Sequence, residues 1–280
     1  MVSKGGWLKV LGSSGGFPIA GLACSGYLAR LGGQTLLLDC GPGVATALIG
    51  ADAKAGVDGV VISHLHADHM LDLIPLGYAL MTEWVTDGRT APLPLYLPQG
   101  GIDLLGKLSD LFGHRNWRFP SEGGGFGRQA LAAALERGED WMSTVFDARE
   151  YDPGDNIAFG PLTVTTLPVD HRVPTAAMRL KHDGADFVYS ADTRYWPALG
   201  NFAGGTDIFL VDAHLSDPKA PGGAHMTPGE AGRLAAMADA KRLVLCHLGA
   251  PEDGPSARRA AAAHFNGEIH VAFETREYGL

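Results

Sequence analysis

The sequence predicts a mixed α/β (α+β) fold in which sheets are layered on one another and helices lie outside them. Three observations carry that expectation. Strand and helix patterns alternate along the chain, hairpin signatures recur in both halves, and 46% of the 280 residues are apolar, which is enough for a substantial core in one domain spanning 1–280. Frequent hairpins argue against a simple parallel sheet, whose neighbouring strands need long crossovers.

The elements read in order as follows. WLKVLG at 7–12 is a strand, followed by the turn SSGG. CSGYLARLGG and QTLLLDCG form two strands joined by Gly32-Gly33, a favourable hairpin turn. GPGVATALIG is a short helix, and VDGVVIS at 57–63 is a buried strand. MLDLIPLGYALMTEW has helical character interrupted by Pro75. PLPLYLP at 92–98 is a short strand, and IDLLGKLSDLFG a further helix. From about 120 to 150 a glycine-rich linker runs into an Ala/Leu/Glu helix and a less regular segment. That helix reads either as ordinary packing or as a cover over a site.

The second half repeats the style of the first without residue-by-residue repetition. PLTVTTLPV at 161–169, MRLKHDGADFVYSAD at 178–192 and TDIFLVDA at 206–213 are strands, with an Asp183-Gly184 turn inside the second. In TPGEAGRLAAMADA, Thr227 is an N-cap, Pro228 occupies the first helical position and Glu230 completes a capping box. RLVLCHLG returns to a strand, SARRAAAAHFNG is a helix ending near Gly267, and EIHVAFE closes the chain as a strand.

A formal charge of −9, from 31 acidic and 22 basic residues, supplies no long-range attraction for nucleic acid and disfavours a large RNA partner. The three cysteines, 24, 40 and 246, are too few for a disulfide scaffold and form no CxxC, which suits a reducing, cytoplasmic setting. No apolar run approaches the ~20 residues that span a bilayer, and the amino terminus lacks the apolar segment of a secretory signal. A soluble protein with no membrane partner is expected.

The end of the 57–63 strand delivers SHLHADH, which sets His64, His66, Asp68 and His69 inside six positions. On an extended segment His64 and His66 share a face, and Asp68 with His69 lies where a helix would begin. Imidazole nitrogens and carboxylate oxygens suit zinc and related divalent ions, and no thiolate in the set enforces softness, so manganese and iron(II) fit as well. Three more candidates follow apolar runs: His171 in LPVDHRVP, Asp192 in VYSADTR and His247 in LVLCHLG. Asp39, after LLL, reads either as a carboxylate that braces the histidine loop or as a turn or solvent-facing residue. GSSGG at 12–16 and GPG at 41–43 match no nucleotide-binding pattern and read as turns around a cleft.

With HLHADH at 64–69 and the order His171, Asp192, His247, the chain resembles the metallo-beta-lactamase-fold hydrolases over essentially its whole length. The likeness is to the phosphodiesterase branch related to ribonuclease Z and to bacterial cyclic-nucleotide phosphodiesterases. The resemblance implies a four-layer αββα sandwich and a centre of two divalent ions, zinc first among them. One ion would take His64, His66 and His171, the other Asp68, His69 and His247, with Asp192 bridging. Asp68, which also fits a catalytic base, is assigned to the metal. Two such ions about 3.5–4 Å apart can lower the pKa of a shared water and neutralise charge on a phosphoryl group.

His225, in AHMTPGEAG, has no place in a seven-ligand set and resembles the family's HxT histidine that serves the leaving oxygen. Asp212, in FLVDAHL, stands where the family often has Glu, and is expected to orient His225. The family's transfer-RNA-processing members carry a long arm between the third histidine and the bridging aspartate, whereas this chain has only RVPTAAMRLKHDGADFVYSA between His171 and Asp192. The expectation is hydrolysis of a small phosphodiester, foremost a cyclic nucleotide. Transfer-RNA 3′ processing, hydrolysis of a lactone or beta-lactam, and a non-catalytic metal-containing binding protein are the alternatives. The resemblance also implies a homodimer.

Overall fold

The structure, a computed structural model, describes residues 6–19, 21–51, 56–85, 91–112, 140–215, 223–249 and 254–280. Two seven-stranded sheets form its middle layers. The first is built from β1 (Trp7–Gly12), β2 (Gly26–Leu31), β3 (Gln34–Leu38), β4 (Gly59–Val61), β5 (Leu93–Pro98), β6 (Phe146–Tyr151) and the carboxy-terminal β14 (Glu277–Gly279), in the order β14-β1-β2-β3-β4-β5-β6. The second is built from β7 (Asn156–Phe159), β8 (Leu162–Pro168), β9 (Ala176–His182), β10 (Ala185–Tyr189), β11 (Ile208–Asp212), β12 (Arg242–Cys246) and β13 (Glu268–Val271), with its order running from β13 to β7. Each sheet joins an antiparallel hairpin region to a parallel run, β3 to β6 in one and β10 to β13 in the other.

Both expected hairpins are present, for the expected reason. Leu31 pairs with Gln34 across Gly32 and Gly33, at φ 58° and 79°, and His182 pairs with Ala185 across Asp183 and Gly184, at φ 47° and 82°. Two successive residues in the left-handed region turn the chain with the twist of the strands it joins, and Gly and Asp adopt that region at least cost.

Alternation along the strands produces three separate apolar layers. Leu8, Val10, Leu36 and Leu38 of the first sheet meet Val164, Met178, Leu180 and Phe187 of the second in the central layer. The opposite face of the first sheet, with Leu28, Leu37 and Val60, is covered by α1 (Val44–Gly50), α3 (Leu73–Val85), α4 (Gly101–Phe112) and α5 (Trp141–Val145). The outer face of the second sheet is covered by α6 (Pro197–Phe202), α7 (Pro228–Met237) and α8 (Gly254–Ala262). A fully buried leucine of this kind contributes about 1.5–3 kcal/mol. No described helix is long and apolar enough to cross a membrane.

Some elements differ from the sequence reading. Pro75 does not interrupt a helix: it lies in the first turn of α3, where a missing N–H costs nothing, and the four-residue α2 (Ala67–Met70) precedes it. The strands β6, β7 and β14 and the helix α6 had no legible pattern, since each is short and β6, FDAREY, is a half-exposed edge strand with charges on it. The glycine-rich linker and Ala/Leu/Glu helix expected within 120–150 fall on 113–139, outside the described residues. Beyond them α5 and β6 belong to the sandwich, with Trp141, Met142, Val145 and Phe146 buried.

The strands of both sheets end at one edge of the sandwich, and the turn after β3 is held there by a close approach. A methyl group on Gly41 would lie 2.0 Å from the Asp68 carbonyl oxygen, and the neighbouring Cys40 N–H donates to His69 O at 2.7 Å. Gly41→Ala should therefore lower stability by about 1–3 kcal/mol through overpacking. Urea unfolding measures this, and an unchanged midpoint would contradict the contact.

Candidate metal centre

Local backbone structure explains how SHLHADH spreads its side chains. The chain leaves β4, and His66 takes the N-cap position of α2 at φ −70°, ψ 147°, with no capping hydrogen bond from its side chain. Its imidazole is thus committed elsewhere, while Asp68 and His69 project from the first turn of α2. His64 and His69 are fully buried.

Two groups of ligand atoms result, each lying within 4.8 Å of one another: His64, His66, His171 and Asp192, and Asp68, His69, Asp192 and His247. His171 follows β8, Asp192 follows β10 and His247 follows β12, so the two sheets contribute to the same point. In the first group His66 Nδ1 lies 3.0 Å from His64 Nε2 and 3.2 Å from His171 Nε2. In the second, Asp68 Oδ2 lies 3.4 Å from His69 Nε2 and 3.8 Å from His247 Nε2. Asp192 Oδ2 belongs to both, at 3.2 Å from His247, 3.3 Å from His69, 3.8 Å from His64 and 4.0 Å from His171.

The far side of most rings is fastened, which fixes which nitrogen faces inward. His171 Nδ1 donates to Ala224 O at 2.9 Å, and His69 Nδ1 donates to Asp39 Oδ2 at 2.7 Å. His64 Nδ1 lies 3.0 Å from Ser63 Oγ, whose own hydrogen goes to Asp39 Oδ2 at 2.8 Å, and His247 Nδ1 lies 3.2 Å from Ser25 Oγ. Asp68 Oδ2 accepts the Gly16 N–H at 2.9 Å, which gives the opening SSGG turn its place at the site. Burial holds His64 well below the ordinary imidazole range and His247 down to about 3, so both present neutral lone pairs. Burial disfavours the Asp192 anion, but the imidazoles of His247, His69 and His64 around it outweigh that and hold the carboxyl well below its usual range.

The donor set fits a pair of divalent cations. His69 Nε2 is buried with no hydrogen-bond partner, a state that costs roughly 1–3 kcal/mol unless something accepts the lone pair. The two nitrogens beside His66 Nδ1 belong to rings whose protons are already committed, and one Nδ1–H cannot satisfy both. A cation accepts all three lone pairs at once. The set of nitrogen and carboxylate ligands suits zinc, manganese or iron(II).

A third group joins Asp192 to Asp212 and His225. His225 Nδ1 donates to Asp212 Oδ2 at 2.9 Å, as expected of the pair. Asp212 also accepts the Thr193 N–H at 3.2 Å and the His214 N–H at 3.0 Å, three donors that hold it as the anion. Burial, joined by the charge of Asp192, carries the Asp212 carboxyl up to about 6 against the hydrogen bond from His225. Burial pulls His225 down, but the hydrogen bond and charge of Asp212, then the charge of Asp192, leave it above the ordinary imidazole range. The shared proton resides on the imidazole, because Asp212 is already saturated with donors. The His225 ring stacks near His247, with centroids 5.2 Å apart.

His214 was not found by sequence reasoning, although it lies two residues after Asp212. Its ring lies 4.6 Å from His225 and 5.4 Å from His247, and its Nδ1 lies 3.2 Å from the His247 carbonyl. A side chain at Gly15 would come within 2.6 Å of that nitrogen. Cys246 faces the central apolar layer, away from the site, as its alternation with His247 predicts.

Comparison with known proteins agrees with this architecture. Residues 122–248 match the family described as beta-lactamase superfamily domain, and residues 7–103 match the anti-Pycsar protein Apyc1 family. The probable metallo-hydrolase YhfI of Bacillus subtilis is 31% identical over 268 residues, covering 95% of this chain and 96% of that protein. The crystal structure of YhfI aligns with a TM-score of 0.81 at 28% identity, over 98% of this chain and 99% of that one. A ribonuclease Z of Mycobacterium bovis is 31% identical over 284 residues, covering 94% of each chain. Two stacked sheets with helices on both outer faces, the clustered histidines and aspartates, and these full-length likenesses lead to one assignment: the chain belongs to the metallo-beta-lactamase-fold superfamily.

Proposed function

We propose that the protein is a dinuclear metal-dependent phosphodiesterase acting on a small phosphodiester, foremost a cyclic nucleotide. The observation that carries this reading is the His225–Asp212 pair, set beside the metal-ligand candidates yet outside their number. His64, His66 and His171 would hold one ion, Asp68, His69 and His247 the other, and Asp192 both. When bound, the two ions would supply Lewis acidity to activate a water and charge to neutralise a phosphoryl group.

The chain's own residues supply the rest. Asp212 fixes the His225 ring through Nδ1 and keeps a proton on the imidazole, which leaves Nε2 to hand a proton to a departing oxygen. The His225 pattern resembles that of the phosphodiesterase branch, so the pair favours the phosphodiester over a lactone or lactam. The net charge of −9 and the short His171–Asp192 connection favour a small substrate over RNA. The full-length likeness to a ribonuclease Z supports transfer-RNA 3′ processing as the second reading, and a precursor transfer RNA therefore belongs in the substrate panel with cyclic nucleotides, linear phosphodiesters and lactones.

Metal dependence is the first expected outcome. Elemental analysis should find two divalent ions per chain in active protein. Asp192→Ala should weaken at least one ion and lower activity by orders of magnitude, because the shared carboxylate sets spacing as well as charge. A single ion in fully active protein would sink the dinuclear assignment.

The second outcome separates binding from proton transfer. His225→Ala should retain both ions and much of the substrate affinity while lowering kcat about 10²–10⁴-fold on a cyclic nucleotide, whose alkoxide needs protonation. An aryl phosphodiester should suffer less. Equal losses on the two substrates, or none on either, would remove the general-acid role.

A further inference from the structure

Tyr189 is a fully buried residue at the end of β10, and its phenol reaches the support of the metal centre from the opposite sheet. Its hydroxyl donates to Asp39 Oδ2 at 2.8 Å. Asp39, at the end of β3, is itself fully buried. Its Oδ2 also accepts His69 Nδ1–H at 2.7 Å and Ser63 Oγ–H at 2.8 Å, while Oδ1 accepts the Ser63 N–H at 2.6 Å. Four donors saturate the carboxylate. Tyr189 is the one that comes from the second sheet.

These contacts close a ring. Three residues beyond Tyr189 the same strand end delivers Asp192, through Ala191 in the left-handed region at φ 52°. Asp192 Oδ2 stands 3.3 Å from His69 Nε2, and His69 returns through Nδ1 to Asp39 and so to the Tyr189 hydroxyl. The bridging carboxylate and the His69 ring are therefore held at a set spacing by two routes, one covalent along 189–192 and one hydrogen-bonded through Asp39. His64 is joined to the same carboxylate only at one remove, since its Nδ1 reaches Asp39 through Ser63 Oγ, whereas His69 bonds Asp39 directly.

We propose that Tyr189 is a positioning residue that sets the spacing between Asp192 and His69, and thereby the affinity of the Asp68, His69 and His247 group for its ion. The inference rests on the two-ion reading of the site. Tyr27 provides an internal control. Its ring packs on Tyr189 with centroids 5.1 Å apart, and its hydroxyl takes no part in the bonds to Asp39, so Tyr27→Phe removes a neighbouring hydroxyl without opening the ring.

The test is metal binding by the whole protein, stripped and then titrated with zinc against a competing chelator, with elemental analysis and anomalous scattering to locate the ions. Tyr189→Phe keeps the ring volume and should bind one ion as wild type does while weakening the other about 10–100-fold, the usual cost of losing a supporting group, with low occupancy at His69. Tyr27→Phe should match wild type. Asp39→Asn breaks the ring at its other joint and should weaken the ion at His69 more than the ion at His64, which keeps the question open to decision if Tyr189→Phe folds poorly. Equal weakening of both ions, equal effects in Tyr27→Phe, or wild-type affinity in Tyr189→Phe and Asp39→Asn would each overturn the role of Tyr189. A wild type that binds a single ion would instead overturn the two-ion reading, and this inference with it.

Discussion

The rest of the site depends on one buried carboxylate oxygen. Asp192 Oδ2 has five imidazole nitrogens around it, those of His247 at 3.2 Å, His69 at 3.3 Å, His64 and His225 at 3.8 Å and His171 at 4.0 Å. A carboxylate that is only 2% exposed survives as an anion only where positive charge or strong donors compensate its lost hydration. Here the compensation comes from residues on both sheets. The sandwich must therefore bring its two halves into register at this edge before any of the ligands has its proper environment.

That demand is visible as backbone strain. Among the described residues six other than glycine have positive φ, and Asp39, Ala191 and His247 are three of them, at 60°, 52° and 57°. Each of these three belongs to the site or adjoins it. Such conformations cost of order 1–3 kcal/mol and persist where the surroundings over-determine them. The surroundings are the three apolar layers and the hydrogen bonds that leave these turns: His247 N–H to Ser13 O at 2.9 Å and Asp39 N–H to Val61 O at 3.0 Å. The core thus fixes unfavourable turns at the ends of favourable strands, and the ligands stand on those turns.

The distribution of strain also explains what the sequence disclosed. HLHADH is local, and its chemistry is legible wherever it occurs. Both tight hairpins are legible because Gly32-Gly33 and Asp183-Gly184 are themselves the cause of the turn. His171, Asp192 and His247 could be named only because each ends an apolar run, and their meeting point is set by sheet order. The supports were less accessible. Ser25 lies 222 positions from His247 and Tyr189 lies 150 from Asp39, and neither residue type is distinctive. Asp39 was singled out after LLL, yet its partners were not. His214 stood in plain view after Asp212, but only the stacking of three imidazoles gives it meaning. The edge strand β6 escaped because one of its sides faces another strand and the other faces water, which leaves little apolar alternation to read.

The supports sort the imidazoles by chemistry. His64 and His247 lean on hydroxyls and His171 on a backbone carbonyl, neutral partners that fix a tautomer without adding charge. Burial then keeps these rings below the ordinary imidazole range, as lone-pair donors. His69 and His225 lean instead on carboxylates, Asp39 and Asp212, and both are raised against the opposing effect of burial. Of these two, His69 turns an unpartnered nitrogen inward between Asp68 and Asp192, where a cation would take the place of a proton. His225 stands at the margin, 19% of its side chain exposed, where its proton has access to whatever enters the cleft. In the proposed mechanism the same residue type serves as ligand or as acid according to what holds its other nitrogen and which side of the cluster it occupies. Asp212, beside His225, is itself fixed by the Thr193 and His214 amides, and its carboxylate lies 2.9 Å from the His225 ring.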